Sequence, residues 1–378
     1  MSNDHRDPHD HQEGARSGDA AAHRDRPVVV VTGNNGLLGT AFMKRCADRY
    51  RIVGFDRDGQ PQPPPQVECV CVDLTDDRSV ELGVQRTVYG YGRRIAAVVH
   101  LAAYYDFSGA PSDLYEEVNV RGTERLLTAF RGAGCEVDVF VYSSTMLVHR
   151  PTSPGEKIDE ASPLEARWDY PQSKIRAERL LGDRADDLRV VLLRIAGVYT
   201  DRCDSIPLAQ QMHRIDQRRL DSRVFPGDAD HGQSFVHVDD VVDAIERAVE
   251  RRADLPVGVT PILIGEPETH GYGDLQRRFG ELLHGEEDWP ARTIPKGLAK
   301  AGAWLRERLP TDSFIKPWMV DLADDHYELD VSRARDLLGW QPRHRIVDVL
   351  PKMVEHLRSD PDGWRRRHGL GSDSSEDD

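Results

Sequence analysis

Residues 27–39 read PVVVVTGNNGLLG, and this stretch decides the fold. Valine branches at Cβ and favours an extended backbone. Val28 to Val31 in succession describe a strand with neither side facing water. Glycines then recur at Gly33, Gly36 and Gly39, spaced Gly-x-x-Gly-x-x-Gly, and TAFMKRCADRY reads as a helix from Thr40. In a strand–turn–helix unit the first glycine permits a tight turn. The next lets backbone approach a pyrophosphate, and the third lets helix and strand pack closely. The helix start adds N–H groups and a partial positive charge suited to phosphate. Glycines here can also be purely steric, but their place directly after the first strand favours a cofactor loop.

Outward from this unit the pattern repeats. RIVGFD (51–56), VECVCVDL (67–74), AAVVHLAA (96–103), VDVFVYSS (137–144) and RVVLLRIAGVY (189–199) read as strands. Helices are expected from about Leu114 to Arg131 and around Tyr170. Apolar strands alternating with helices predict a doubly wound α/β fold, a parallel Rossmann sheet covered on both faces. Beyond residue 200 the alternation breaks up. FVHVDDVVDAIERAVERR reads as a short strand turning into a helix, VTPILIGEP as a strand returning to the sheet, and GDLQRRFGELL as an amphipathic helix. GLAKAGAWLRERL has three readings: lying on a membrane, lining a pocket, or packing on its own lobe, the last favoured. The expected division is a polar, His-bearing disordered tail at 1–26 and a cofactor-binding domain at 27–200 with returning segments near 233–265. A smaller, discontinuous C-terminal substrate-binding lobe takes most of 201–365, and an acidic tail 366–378.

Composition narrows the partners. A net charge of -15 argues against nucleic acid and anionic membrane surfaces. No apolar run approaches a membrane span, and the polar N-terminus has no secretory apolar core. The five cysteines, Cys46, Cys69, Cys71, Cys135 and Cys203, are scattered without metal-ligand spacing, so reduced, buried thiols in a cytoplasmic protein are expected, with no metal.

DYPQSKIRAERLL (169–181) holds the chemistry. Proline is tolerated in a helix's first turn, so Pro171 places Tyr170 at a helix mouth, with Asp169 favouring the positive N-terminus. Lys174 follows one turn later on the same face. The spacing alone leaves two readings open, ordinary packing or an acid and its tuner. Asp56, ending the second strand, suits the two hydroxyls of an adenosine ribose and would repel a 2'-phosphate, favouring NAD over NADP. Arg57 beside it could instead hold that phosphate. Asp73 could contact an adenine amino group, or be a plain turn residue, as could Asp56.

In this order, TGNNGLLG, HLAA (100–103), NVRGT (119–123), VYSST (141–145), the Tyr170/Lys174 pair, FVHVDDVVDAI and LDVSRARDLLGWQP make the chain resemble one family from about Val28 to Pro342. It is the extended short-chain dehydrogenase/reductases, also called the NAD-dependent epimerase/dehydratase family. The resemblance implies NAD contacts at Gly33, Asn35, Gly36, Leu37, Leu38, Gly39, Asp56, Arg57, Asp73, Leu74, Leu101, Ala102, Ala103, Asn119, Tyr170 and Lys174. It implies Tyr170 as general acid/base, Lys174 as its tuner and Thr145 as the hydroxyl holding the substrate oxygen, with Ser144 as fallback. A free phenol has a pKa of about 10, and a neighbouring ammonium and a positive nicotinamide ring both favour the phenolate. A homodimer through the helices beside NVRGT and YPQSK is compatible with the resemblance.

Three departures bear on a small-molecule substrate. Gln233 and Ser234 stand where sugar-nucleotide members carry an Arg-Asp pair, so a bidentate diphosphate contact is missing. Ile195 replaces the usual proline after Arg194, and no Gly-Pro follows Tyr199. Tyr104, Tyr105 and Phe107 form an aromatic run that suits an apolar or ring-shaped substrate, or simply core packing. Met146 and Leu147 after Thr145 supply no acid/base pair and argue against dehydration. The expectation is an NAD-dependent oxidoreductase acting between a secondary alcohol and a ketone. The alternatives are a nucleotide-sugar epimerase and a non-catalytic NAD-sensing regulator.

Overall fold

The computed structural model describes residues 26–58, 63–64, 66–106, 110–185, 187–287, 289–297, 299 and 317–370. The valine run forms β1 (Val28–Thr32), an interior strand of a seven-stranded sheet. The other strands are β2 (Arg51–Asp56), β3 (Val67–Cys71), β4 (Ala97–His100), β5 (Phe140–Thr145), β6 (Arg189–Ile195) and β7 (Gly258–Ile264). Their order is β7-β6-β5-β4-β1-β2-β3, and every neighbouring pair runs parallel. The order reverses at β1, which opens a crevice beyond the carboxyl ends of β1 and β4. Register brings the site residues there. Thr32 lies opposite both Phe55 and His100, so Gly33, Asp56 and Leu101 emerge side by side at one sheet edge.

Alternate side chains of β1 enter different cores, as the two-residue period of a strand requires. Val29 and Val31 pack with Phe42 and Met43 of α1 (Leu37–Cys46). Val28 and Val30 face the opposite core. That second core is built with α2 (Asp77–Tyr91), α3 (Gly122–Gly132) and α4 (Asp169–Arg184). A third cluster lies away from the sheet. It joins Met212 of α5 (Ile206–Asp216), Phe279 of α7 (Tyr272–His284) and Met353 of α9 (Ile346–Ser359) around Trp289. Between these, α6 (Val238–Glu250) continues a short strand, Phe235–His237, and α8 (Ser332–Leu338) packs in the first core.

Several local readings change. RVVLLRIAGVY is two strands: β6 ends at Ile195, and Gly197–Tyr199 pairs with Phe235–His237 in a separate ribbon. A Cβ on Gly197 would lie 3.0 Å from both Gln233 Nε2 and the Phe235 ring, so glycine is what admits this close crossing. α2 was not anticipated from the sequence, because its apolar stripe is interrupted at Gly83 and Thr87, both buried. Its start is marked all the same, by Asp76 accepting from Arg78 N and Ser79 N. The helix expected from Leu114 opens as a π-helical stretch, Tyr115–Arg121, before α3. Of the cysteines expected to be buried, Cys46 and Cys203 are; Cys69 and Cys135 are half-buried and Cys71 is exposed, all as free thiols. The boundary drawn at 366 falls inside α10 (Pro361–Arg367), whose Arg367 pairs with Asp204. GLAKAGAWLRERL lies almost wholly outside the described residues, as do Phe107 and most of both tails.

Candidate active site

At the sheet edge, Gly33 adopts φ +71°, and a Cβ there would lie 2.7 Å from Ala102 N. A Cβ on Gly39 would meet Gly33 O at 2.3 Å. Backbone fills both places, so only glycine fits. Gly36 caps α1 without a side chain, leaving the first-turn N–H groups of Leu37 and Leu38 with no capping side chain. The Asp56 carboxylate secures the loop, Oδ2 accepting from Asn35 N (2.9 Å) and Oδ1 from Arg57 N (2.8 Å). Asn35 Oδ1 is buried without a hydrogen-bond partner. Asp73 is engaged in its own turn, accepting from Thr75 N and Oγ1, and Leu74 packs against Gly122.

The second half of the site lies across the crevice. Thr145 ends β5, and Tyr170 sits in the first turn of α4, with Pro171 beside it. Lys174, one turn on, is buried; its Nζ donates to Ser143 O (2.7 Å) and stands 4.7 Å over the Tyr142 ring and 5.7 Å from the Tyr170 ring. Burial lowers the Lys174 amine to about 7, with Glu178 opposing the shift. Burial also holds the Tyr170 phenol well above its ordinary value. Tyr105 meets Tyr170 edge-on at 4.5 Å and Trp168 lies 5.6 Å from it, an aromatic group at the helix mouth.

Asn119 braces this arrangement from within. Its amide accepts from Tyr104 N and donates to Tyr104 O and Ser173 Oγ, and Ser173 Oγ in turn donates to Tyr170 O. His100 ties the two halves of the crevice together. Thr123 Oγ1 donates to Asn119 O (2.7 Å) and so accepts from His100 Nε2–H (2.9 Å), which leaves His100 Nδ1 to accept from Thr32 Oγ1 (2.6 Å). Complete burial keeps this imidazole neutral, its pKa lowered to about 3.

One cavity of about 900 Å³ joins these parts. Leu37, Leu38, Leu101, Ala103, Thr145, Tyr170 and Lys174 line one end, and Val224, Phe225, Tyr272, Ile294 and Tyr327 the other. Met146, Leu147 and Gln233 are on its wall, whereas Ser234 Oγ turns away to donate to Glu266 O. Arg167 reaches the cavity but is engaged by Asp325 at 2.9 Å. The far wall, from segments around 204–226, 272–276 and 320–327, carried no signal in the sequence. Its members are ordinary apolar and polar residues until the fold brings them together.

Among the described residues, one group brings three metal-ligand atoms within 4.8 Å of one another: His237, Asp239 and His344. None of the three lines the cavity, and the two rings stack at 4.1 Å and 28°, so their lone pairs run side by side instead of converging. No described helix is long and apolar enough to cross a membrane.

A parallel seven-stranded sheet in this order, with a glycine turn at its reversal point, is a Rossmann-type α/β fold. The chain belongs to the NAD dependent epimerase/dehydratase family, whose sequence profile matches residues 29–261. It is 28% identical to a UDP-glucose 4-epimerase of Mycolicibacterium smegmatis over 88% of this chain and 98% of the relative. It is 30% identical to a 3 beta-hydroxysteroid dehydrogenase/Delta 5-->4-isomerase of Mycobacterium tuberculosis over 90% and 94%. The fold matches a Thermus thermophilus UDP-glucose 4-epimerase complex with NAD at a TM-score of 0.65 and 22% identity, covering 88% of this chain and 99% of that one. The protein is thus an NAD-dependent enzyme of the extended short-chain type.

Proposed function

We propose that this protein interconverts a secondary alcohol and a ketone by hydride transfer with NAD, using Tyr170 as general acid/base. The observation carrying this reading is the single cavity that Leu37 and Leu38 of the glycine turn share with Thr145, Tyr170 and Lys174. The residues fit a dinucleotide. Backbone closes around Gly33 and Gly39, and Asn35 Oδ1 is buried there without a partner. Gly33, Gly36, Leu37, Leu38 and Gly39 would cradle the pyrophosphate, and Asp56 and the Asn35 amide oxygen would accept from hydroxyls of the adenosine ribose. Leu101, Ala102 and Ala103 would line the nicotinamide side, and Lys174 would bond the nicotinamide ribose. NAD, when bound, takes or returns the hydride. The chain does the rest: Thr145 Oγ1 holds the substrate oxygen, the Lys174 ammonium stabilises Tyr170 as phenolate, and that phenolate takes the substrate's proton to become phenol as the hydride leaves.

The wall supports an apolar, ring-bearing substrate. Tyr105, Trp168 and the stacked Phe225–Tyr272 pair (5.3 Å) offer flat apolar faces, and Gln233 offers an amide where a diphosphate would want a guanidinium. A nucleotide-sugar epimerase is the second reading, supported by the relatives of that name and by Arg167 and Arg214 on the cavity wall. A homodimer and a cytoplasmic setting belong to the same reading, the latter supported by five free thiols.

With a substrate found by screening alcohols and ketones at the nicotinamide absorbance, Tyr170→Phe should lower kcat by roughly 10²–10⁴-fold. NADH affinity, read by fluorescence, should be unchanged. Undiminished turnover would remove Tyr170 from the mechanism. UDP- and dTDP-sugars should leave the melting temperature unmoved, and a large stabilisation would promote the epimerase reading. A Kd for NADP below that for NAD would show that Arg57 outweighs Asp56.

A further inference from the structure

Behind the cavity floor lies an ion pair for which the reaction as drawn has no use. Glu178 of α4 and Arg194 of β6 have side chains only 5% and 6% exposed. Arg194 Nη2 donates to Glu178 Oε2 at 2.7 Å and Nε to Oε1 at 3.2 Å. Ser144 Oγ donates to the same Oε1 at 2.5 Å. Arg194 Nη1 donates to His149 Nε2 and to Glu160 O, each at 3.1 Å, while His149 Nδ1–H donates to Ser162 O. Glu160 Oε1 accepts from Leu263 N of β7. A buried pair of this kind seldom stabilises more than apolar residues of the same volume would, so its presence calls for another account.

Its position suggests one. Ser144 precedes Thr145, and Glu178 follows Lys174 by one helical turn, on the same face. The groups facing Lys174 come from three elements. β5 contributes Ser143 O and the Tyr142 ring, β4 the neutral His100, and α4 the Tyr170 ring and Glu178. Among these Glu178 carries the only negative charge. Glu178 itself faces Arg194 from β6, Ser144 and Tyr142 from β5, and Lys174 on its own helix.

We propose that Glu178, clamped by Arg194, is a positioning residue for the reaction: it fixes the end of β5 through Ser144 and supplies the negative charge that faces the Lys174 ammonium. The inference rests on the roles given above to Tyr170 and Lys174. The electrostatics agree with the geometry. Burial already brings the Lys174 amine down to about 7, and Glu178 is the group opposing that shift. Without the carboxylate, burial lowers the amine further, and less of the neighbouring charge that would favour the phenolate remains.

The test is a titration that needs no substrate. Protein labelled with ¹³C at lysine Cε is followed by NMR against pH, the Lys174 signal being assigned by its loss in Lys174→Arg. Glu178→Gln should lower the Lys174 midpoint by about one pH unit, a tenfold change in its proton affinity. Because that variant strands a buried guanidinium, Glu178→Gln/Arg194→Gln, which removes both charges, is titrated alongside. It should show a fall in the same direction. A midpoint unmoved in whichever of the two folds overturns the proposal. If Tyr170→Phe turns over normally while the midpoint still falls, it is the reading of Tyr170 that fails, and the coupling of Glu178 to Lys174 stands. With a substrate in hand, the acid limb of kcat/KM for alcohol oxidation should move to higher pH in the same variants, and NADH affinity should not change.

Discussion

Glu266 is fully buried, and two donors serve it: Tyr199 Oη on Oε1 at 2.8 Å and Ile346 N on Oε2 at 3.0 Å. Both bonds favour the carboxylate, yet burial outweighs them and raises the carboxyl to about 7. The folded state therefore holds a proton that the unfolded chain, near 4.5, has released. That contribution to stability is complete below about pH 4.5 and is lost as pH rises through 7. Glu266→Gln keeps the acceptor for Tyr199 and removes the titration. Relative to the parent, the variant should gain about 2 kcal/mol between pH 5.5 and 8.5 in urea unfolding. A parallel pH dependence in the two proteins would show that Glu266 does not titrate in this range. Tyr170, Lys174 and Thr145 were legible in the sequence because each lies in a motif a few residues long. Glu266, Glu178 and His100 were not, because their properties come from burial and from partners many residues away.

For the elements, the glycine turn is the most exacting piece. An added methyl at Gly39 would face Gly33 O at 2.3 Å and Asn34 Cα at 2.6 Å, all backbone that cannot swing aside. Gly39→Ala should leave the circular dichroism spectrum native while weakening NADH binding at least about tenfold, since α1 must back away from the turn proposed to hold the pyrophosphate. Unchanged affinity would mean that the turn does not carry the cofactor. This unit, and the strands that repeat its logic, could be read from the sequence because apolar runs and glycines are local signals. α2 could not, since Gly83 and Thr87 occupy buried positions where the period calls for large apolar residues. Nor could the division of RVVLLRIAGVY, where the chain leaves one sheet for another without a break in its apolar run.

At the scale of the molecule, the far wall of the cavity depends on the third core. Trp289 is fully buried at its centre, and its Cβ would lie 2.2 Å from a Cβ placed on Gly280 of α7. Trp289→Ala should destabilise the protein by about 3–5 kcal/mol in urea unfolding. NADH affinity should be intact at low denaturant, because Trp289 belongs to neither sheet core. A loss of NADH binding without loss of stability would contradict that separation.

The succession of the seven sheet strands, the glycine turn and the Tyr170/Lys174 spacing were determined by the sequence alone, because each depends on neighbours within a few residues and on backbone preferences that operate before the chain is compact. What surrounds them was decided only on folding. A cavity wall is assembled from residues whose separation along the chain carries no pattern, and the ionisation of Lys174 and Glu266 is set by how much water the packed chain excludes.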